Sequence, residues 1–286
     1  MLRRYYQLTK PGIIYGNLLN ASAGLLLAMC LVGHVAGGIF IATLVGIALV
    51  IAAACVVNNY IDRGIDKKMA RTKQRSLVTG SIAASSALIY ALLLGVLGFT
   101  VLILWTNALT VALGAIAIFC YLVPYSITKR MTVYGTLIGS VAGALPPVAG
   151  YCAITGTFDP AALLLFLIFA VWQMPHFYAI AMYRARDYAA AGLPVLPVKR
   201  GMQAAKLQSI AYIGAFVLTA SLLTVYGYTG YAYLGVIVGL GGYWLWSGLR
   251  NFRTAQDAKW GRTMFHVSLV VVLGLDCALA VGALLP

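Results

Sequence analysis

Apolar residues in this chain come in long runs separated by short polar segments. Nine such runs, 12–33, 38–58, 82–105, 108–126, 133–153, 161–182, 207–227, 231–249 and 264–285, contain one charged side chain between them, Asp276. A helix needs about 20 apolar residues to cross the hydrocarbon core of a bilayer, and each run meets that length closely. The narrowest separation is Thr106-Asn107, between the third and fourth runs. The expected fold is all-α: a polytopic membrane protein of nine transmembrane helices, forming a single integral-membrane domain over 1–286. Arg3 and Arg4 give the N-terminus the look of a signal-peptide n-region. The apolar run after Pro11 is too long for an h-region and lacks a clear small-residue cleavage site, so an uncleaved first membrane helix is expected.

The polar positions orient these spans. All 20 Lys and Arg residues fall before the first span or after the second, fourth, sixth and eighth. The intervening loops, around His34, Asn107, Thr155–Pro160 and Gly227–Gly230, hold none. The positive-inside rule then puts the N-terminus and the basic loops in the cytoplasm, and an odd number of spans puts Pro286 on the periplasmic side of a bacterial inner membrane. Adding or dropping a span would destroy this segregation.

Composition closes off other classes. Hydrophobic residues make up 62% of the chain and charged residues 9%, with a mean hydropathy of +0.93, against about 25% charged in soluble domains. A soluble globular protein, a disordered chain and a nucleic-acid-binding module are excluded. The net charge of +14 is mostly topology, and no nucleic-acid partner is expected. Cys30, Cys55, Cys120, Cys152 and Cys277 sit in or beside apolar runs with no CxxC spacing, and read as small packing residues.

The chemistry concentrates at the cytoplasmic end of the second span. Asn58, Asp62 and Asp66 are spaced i, i+4, i+8 and share one face if the helix continues past the apolar run. Two carboxylates and an amide are hard oxygen donors of the kind that suits Mg²⁺, which fills the rest of its sphere with water and substrate phosphate. Arg63, Lys67, Arg71, Lys73 and Arg75 follow, and such cations hold diphosphate oxygens. A solvated juxtamembrane loop would also be rich in charge. Here Asn58-Asn59 stands where an apolar helix should end, and Asp supplies all the acid in the chain, six residues in total.

Weaker signals lie elsewhere. Tyr183–Tyr188, after the sixth span, looks like a faded second copy of this region. Asp66 to Gly80 and Asp187 to Gly201 are both 14 residues apart, which suggests an old internal duplication with two sites facing each other. Lys129 and Arg130, beside Tyr125 and Ser126, serve either as topological anchors or as diphosphate contacts. In the sixth span, Pro175 is expected to kink the helix. His176 there is costly at membrane depth unless it meets a cavity or a partner; it can ligate a metal, act as a base or hydrogen-bond in the core. Gln173 and Tyr178 are expected to line the same cavity. Gly135, Gly139 and Gly143 form a helix-packing seam, and the Pro146-Pro147 pair is tolerable where a helix lines a cavity or packs tightly. Asp276 is a lone acid whose partner the sequence does not name.

Asn58-Asn59-x-x-Asp62-x-x-x-Asp66 resembles the Asn-Asp-x-x-Asp-x-x-x-Asp motif of the UbiA superfamily of intramembrane prenyltransferases, with Asn59 in place of the first Asp. Thr9-Lys10-Pro11-Gly12, Asp62-Arg63-x-x-Asp66-x-x-Met69-x-Arg71-Thr72, Gly143-Ala144-x-Pro146-Pro147, Trp172-Gln173-Met174-Pro175-His176 and Asp187-Tyr188-x-x-Ala191-Gly192 extend the likeness over most of the chain. They are most similar to the protohaem IX farnesyltransferases (haem O synthases) within that superfamily. The resemblance implies nine helices around a central cavity open to the cytoplasm and to lipid. It implies Mg²⁺-dependent transfer of a farnesyl group from farnesyl diphosphate to the 2-vinyl group of haem B, with addition of water. On this reading Asn58, Asp62 and Asp66 hold Mg²⁺–diphosphate, with Arg63, Lys67, Arg71, Lys73, Arg75, Lys129 and Arg130 as contacts. His176, Gln173 and Tyr178 meet haem. The second motif of the superfamily usually carries at least two Asp; here only Asp187 remains, so Arg184 and Arg186 are expected to serve as fixed cations in place of a second Mg²⁺. Haem A synthase or a haem–copper terminal oxidase is the implied protein partner. Three rivals stand beside this reading: prenylation of a hydroxybenzoate, quinone precursor or chlorophyllide, a transporter, and a haem-binding assembly subunit without catalysis.

Overall fold

A computed structural model describes residues 1–282, and every regular element among them is a helix. Nine segments are long and apolar enough to cross a membrane, one for each expected run, and the chain is an integral membrane protein. The spans are α2 (Pro11–Val32), α3 (Gly37–Asp66), α5 (Ala84–Trp105), α6 (Ala108–Leu122) with α7 (Pro124–Met131), α8 (Gly135–Thr155), α9 (Pro160–Tyr183), α12 (Met202–Val225), α13 (Tyr231–Arg250) and α14 (Asp257–Val281). Short helices α1 (Leu2–Leu8), α4 (Ser76–Thr79), α10 (Ala185–Ala190) and α11 (Leu196–Lys199) lie on the basic side. The end of the ninth expected run and Pro286 lie outside the described residues.

The helices exceed their apolar runs where buried polar groups find partners. α3 continues through Asn58 and Asn59 to Asp66, and both asparagines are buried. α12 and α14 begin before their apolar runs because Lys206 is enclosed and saturated. Its ammonium donates to the Phe252 and Thr254 carbonyls at 3.1 and 2.9 Å and pairs with Asp257 at 2.7 Å. A buried charge needs this degree of pairing. The fourth run instead breaks at Val123, and Pro124, whose ring suits a first helical position, opens α7. The hydrophobic pattern gave no sign of α1; it docks through Leu8 onto Val56, Leu77 and Ile82.

α8 runs unbroken through Pro146 and Pro147. α2 packs directly on this stretch: a Cβ at Gly24 would strike the Pro147 carbonyl, and one at Gly150 the Ala21 carbonyl. The double proline is thus tolerated by close packing. Asp276 Oδ2 of α14 accepts from the Asn20 amide of α2 at 3.0 Å in the amide orientation that satisfies Asn20, while Asp276 Oδ1 is buried with no partner among the described residues.

The two halves of the bundle differ in density. Away from the basic side, Ala144–Ala153 of α8 is wholly buried, as is most of Asn20–Met29 of α2. On the basic side no residue of α2 from Pro11 to Leu19 is buried. One face of α9 passes from fully enclosed Leu165 and Phe169 to half-exposed His176, Ile180 and Tyr183. α2 and α9 are enclosed in one half of the bundle and more exposed in the half where the charges sit. On that side the loops after α3 and α9 pack on each other through Met69, Ala191 and Leu193.

Candidate active site

α3 brings Asn58, Asp62 and Asp66 onto one helical face, as the spacing requires. Other elements bring cations to that face. Arg75, just before α4, pairs with Asp66 Oδ2 at 2.8 Å. Lys129 and Arg130 of α7 hold the two oxygens of Asp62 at 2.5 and 3.0 Å. Lys10, at the start of α2, donates to Asn58 Oδ1 at 2.6 Å, and the Tyr121 hydroxyl donates to the same oxygen at 3.2 Å.

The glycine seam of α8 sets α7 in place. A Cβ at Gly135 would strike the Lys129 backbone, and one at Gly139 the Tyr125 ring. Tyr125 stacks on Tyr121 with centroids 5.6 Å apart, and the Lys129 ammonium lies 4.9 Å from the Tyr125 centroid. Gly143 makes room for the Gln173 amide of α9. The seam is therefore what lets Lys129 reach Asp62.

Lys10 meets this face although the sequence marked it only by its charge and by the Thr9-Lys10-Pro11-Gly12 stretch, with no role in the site. It is the one non-glycine residue with positive φ among the described residues, at 54°, and it precedes a proline. Both conditions are unfavourable for a lysine, and such strain clusters at functional sites. Here it turns the chain from α1 into α2 and aims the side chain at Asn58. Burial lowers the Lys10 ammonium to about 8, with Arg75 and Lys129 adding to the drop and Asp62 opposing it.

Asn59 has a role of its own. Its Nδ2 donates to the Leu8 carbonyl at 2.8 Å and its oxygen accepts from Arg75 at 3.2 Å. A carboxylate at this position would face the Leu8 carbonyl without a proton to offer. Asn in place of the motif's first Asp ties α1 to the arginine that serves Asp66.

The other expected contacts are dispersed. Arg63 turns back onto the Tyr60 carbonyl at 2.7 Å, and Lys67, Arg71 and Lys73 are exposed with no ion pair among the described residues. Arg184 lies over the Tyr183 ring, 5.3 Å from its centroid, and Asp187 makes no ion pair among the described residues. The Tyr188 hydroxyl between these loops is pushed up by burial, while Arg71 and Arg184 oppose the shift. The three residues expected to meet haem diverge around α9. Gln173 donates to the Ser140 carbonyl of α8 at 3.2 Å, Tyr178 packs edge-on against Tyr212 of α12, and His176 meets Ser268 of α14 at 2.7 Å.

The donor set fits Mg²⁺ bound together with an anion. Among the described residues no group of three His, Cys, Asp or Glu gathers at metal-binding spacing, so protein carboxylates alone do not build a cage. Among the described residues, Asp66 keeps one carboxylate oxygen free of hydrogen bonds, and Asn58 Nδ2 is buried with no partner. Two carboxylates faced by Lys10, Arg75, Lys129 and Arg130 leave positive charge for an anion to neutralise. That is the arrangement for a metal that takes one or two carboxylates and completes its sphere with phosphate oxygens and water.

Comparison with known proteins identifies the family. The model of the UbiA prenyltransferase family matches residues 17–270. The protoheme IX farnesyltransferase of Serratia proteamaculans is 49% identical over 98% of this chain and 95% of its own length. That of Klebsiella pneumoniae is 47% identical over 100% and 97%. A digeranylgeranylglyceryl phosphate synthase shares the fold with a TM-score of 0.79 at 16% identity, covering 99% of this chain and 98% of that one. A UbiA homologue from Archaeoglobus fulgidus bound to DMAPP and Mg²⁺ gives 0.66 at 16% identity, covering 97% and 99%. The chain belongs to the UbiA prenyltransferase family.

Proposed function

We propose that the chain transfers the farnesyl group of farnesyl diphosphate to the 2-vinyl group of haem B, with addition of water, giving haem O and diphosphate. The observation that carries this reading is the excess of cations over carboxylates on the α3 face, backed by full-length relatives that bear this activity in their names. Asp62, Asp66 and Asn58 would hold Mg²⁺, which when bound neutralises charge on the diphosphate. Arg75, Lys129, Arg130 and Lys10 bind the diphosphate oxygens, each such charged hydrogen bond contributing about 1.5–3 kcal/mol. Asn58 Nδ2 donates to one more.

As the C1–oxygen bond of farnesyl diphosphate breaks, its electron pair leaves with the diphosphate, and these fixed donors stabilise the growing negative charge. The terminal vinyl carbon of haem B bonds to farnesyl C1. Positive charge then rests on the carbon next to the porphyrin, water adds there, and a proton is released. The stacked Tyr121 and Tyr125 stand beside the diphosphate face, where aromatic π faces favour an adjacent cation. The densely packed far half excludes water from that direction. The active site opens to the cytoplasm, the N-terminus is cytoplasmic, and the protein resides in a bacterial inner membrane. Its product goes to haem A synthase or to a haem–copper terminal oxidase.

The test is product analysis. Purified protein with haem B and farnesyl diphosphate should form haem O, identified by chromatography and mass spectrometry, with Mg²⁺ and not with EDTA. Folded protein that binds haem and yields no prenylated haem refutes the reading; prenylation of a hydroxybenzoate or quinone precursor instead would move the chain to another activity of its family.

A further inference from the structure

Trp172 and His176 stand one turn apart on α9, and Phe265 and Ser268 one turn apart on α14. The two pairs interlock. The Trp172 indole donates to the Ser268 carbonyl at 3.1 Å. The Ser268 hydroxyl lies 2.7 Å from His176 Nδ1 and donates to the Phe265 carbonyl at 2.6 Å. A serine hydroxyl has one proton to give. With that proton on the Phe265 carbonyl, the contact with the imidazole takes its hydrogen from the ring. Nδ1 therefore carries the proton, and the lone pair of the neutral ring is on Nε2.

Nε2 has no hydrogen bond to any described residue. The ring is held by its neighbours: Trp172 stacks on it at 4.9 Å, Phe265 tilts against it at 5.1 Å, and Phe177 meets it edge-on at 5.3 Å. His176 is half-buried, on the α9 face that opens toward the basic side. A fixed lone pair in an aromatic surround suits a flat, apolar ligand with a metal at its centre. Metal-bound histidines commonly donate their other ring N–H to an acceptor that fixes the tautomer and raises ligand basicity.

We propose that Ser268 is the positioning residue for His176: it fixes the Nδ1–H form and presents Nε2 to the iron of haem B. This rests on the haem-farnesylating reading above. His176 would touch the substrate, and Ser268 acts through it.

Two readouts test the role without turnover. In ligand-free protein with ¹⁵N-labelled histidine, wild type should show His176 as the Nδ1–H tautomer, Ser268→Thr should keep it, and Ser268→Ala should give a mixture. Titration of ferric haem B, with no prenyl diphosphate present, should give wild type the absorption spectrum of histidine-ligated haem. His176→Ala should lose that spectrum. Ser268→Ala should bind haem about tenfold or more weakly, and Ser268→Thr should restore binding. An Nε2–H tautomer in wild type overturns the proposal even if Ser268→Ala does not fold, and so does a His176→Ala protein with an unchanged spectrum. Wild type that makes haem O, with Ser268→Ala unaltered in tautomer and haem affinity, overturns the positioning role and leaves the transferase reading standing. A His176-dependent haem spectrum that Ser268→Ala weakens and Ser268→Thr restores, without haem O formation, supports the role and refutes the transferase reading.

Discussion

Basic loops follow α3 and α9 on the same side of the bundle. In each, 14 residues separate an Asp from a glycine, Asp66 from Gly80 and Asp187 from Gly201. Each contains a four-residue helical turn, α4 or α11, shortly before that glycine, and both glycines take positive φ. The backbones are alike and the electrostatics are not. After α3, Asp62 and Asp66 are both engaged by cations from other elements. After α9, Asp187 has no ion pair among the described residues, and Arg200 spends a hydrogen bond on the Tyr134 hydroxyl at 3.2 Å. Side chains from α2, α6 and α7 converge on the first of these loops and the α3 face beside it. On the proposed function, the cations gathered near it and not the motif alone separate a diphosphate site from a basic loop.

Six substitutions would break or sharpen this contrast. Asp66→Ala should lower haem O formation by about 10³-fold with helicity intact by circular dichroism, while Asp187→Ala should cost less than about tenfold. Lys129→Met should weaken farnesyl diphosphate binding by about 10- to 100-fold, the worth of one charged hydrogen bond; equal losses at exposed Lys73→Ala would erase the distinction drawn here. Asn59→Asp should destabilise the α1 docking by about 1–3 kcal/mol through an unsatisfied buried acceptor, read as a lower thermal midpoint in detergent. Arg184→Ala should change turnover by no more than about threefold, consistent with an exposed cation that makes no ion pair among the described residues.

The fold was largely legible because bilayer thickness writes itself into run length and the loop charges write the topology. All nine spans follow from those two constraints. α1 was not legible, since its docking rests on Leu8 and on Asn59, 51 residues away in sequence. Along α3 the Asn58, Asp62, Asp66 wall was readable from helical periodicity alone. The cations that face it were legible in part: Arg75, Lys129 and Arg130 were among the expected contacts and lie on that face, Lys10 was not singled out as one, and Arg63, Lys67, Arg71 and Lys73 make no ion pair with its carboxylates among the described residues. The positive φ of Lys10 has no signature in the residue itself. The glycine spacing did announce a packing seam, though not that Tyr125 and Lys129 would be what it seats.

On the proposed function the anion site belongs to the loop after α3. The most direct measurement is binding of a non-reactive thiodiphosphate analogue of farnesyl diphosphate, with Mg²⁺, to two double variants by calorimetry. Arg75→Ala with Lys129→Met should lose about 100-fold or more in affinity, and Arg184→Ala with Arg186→Ala about threefold or less. Equal losses, or the larger loss in the second pair, would contradict the account and place the diphosphate at the other loop.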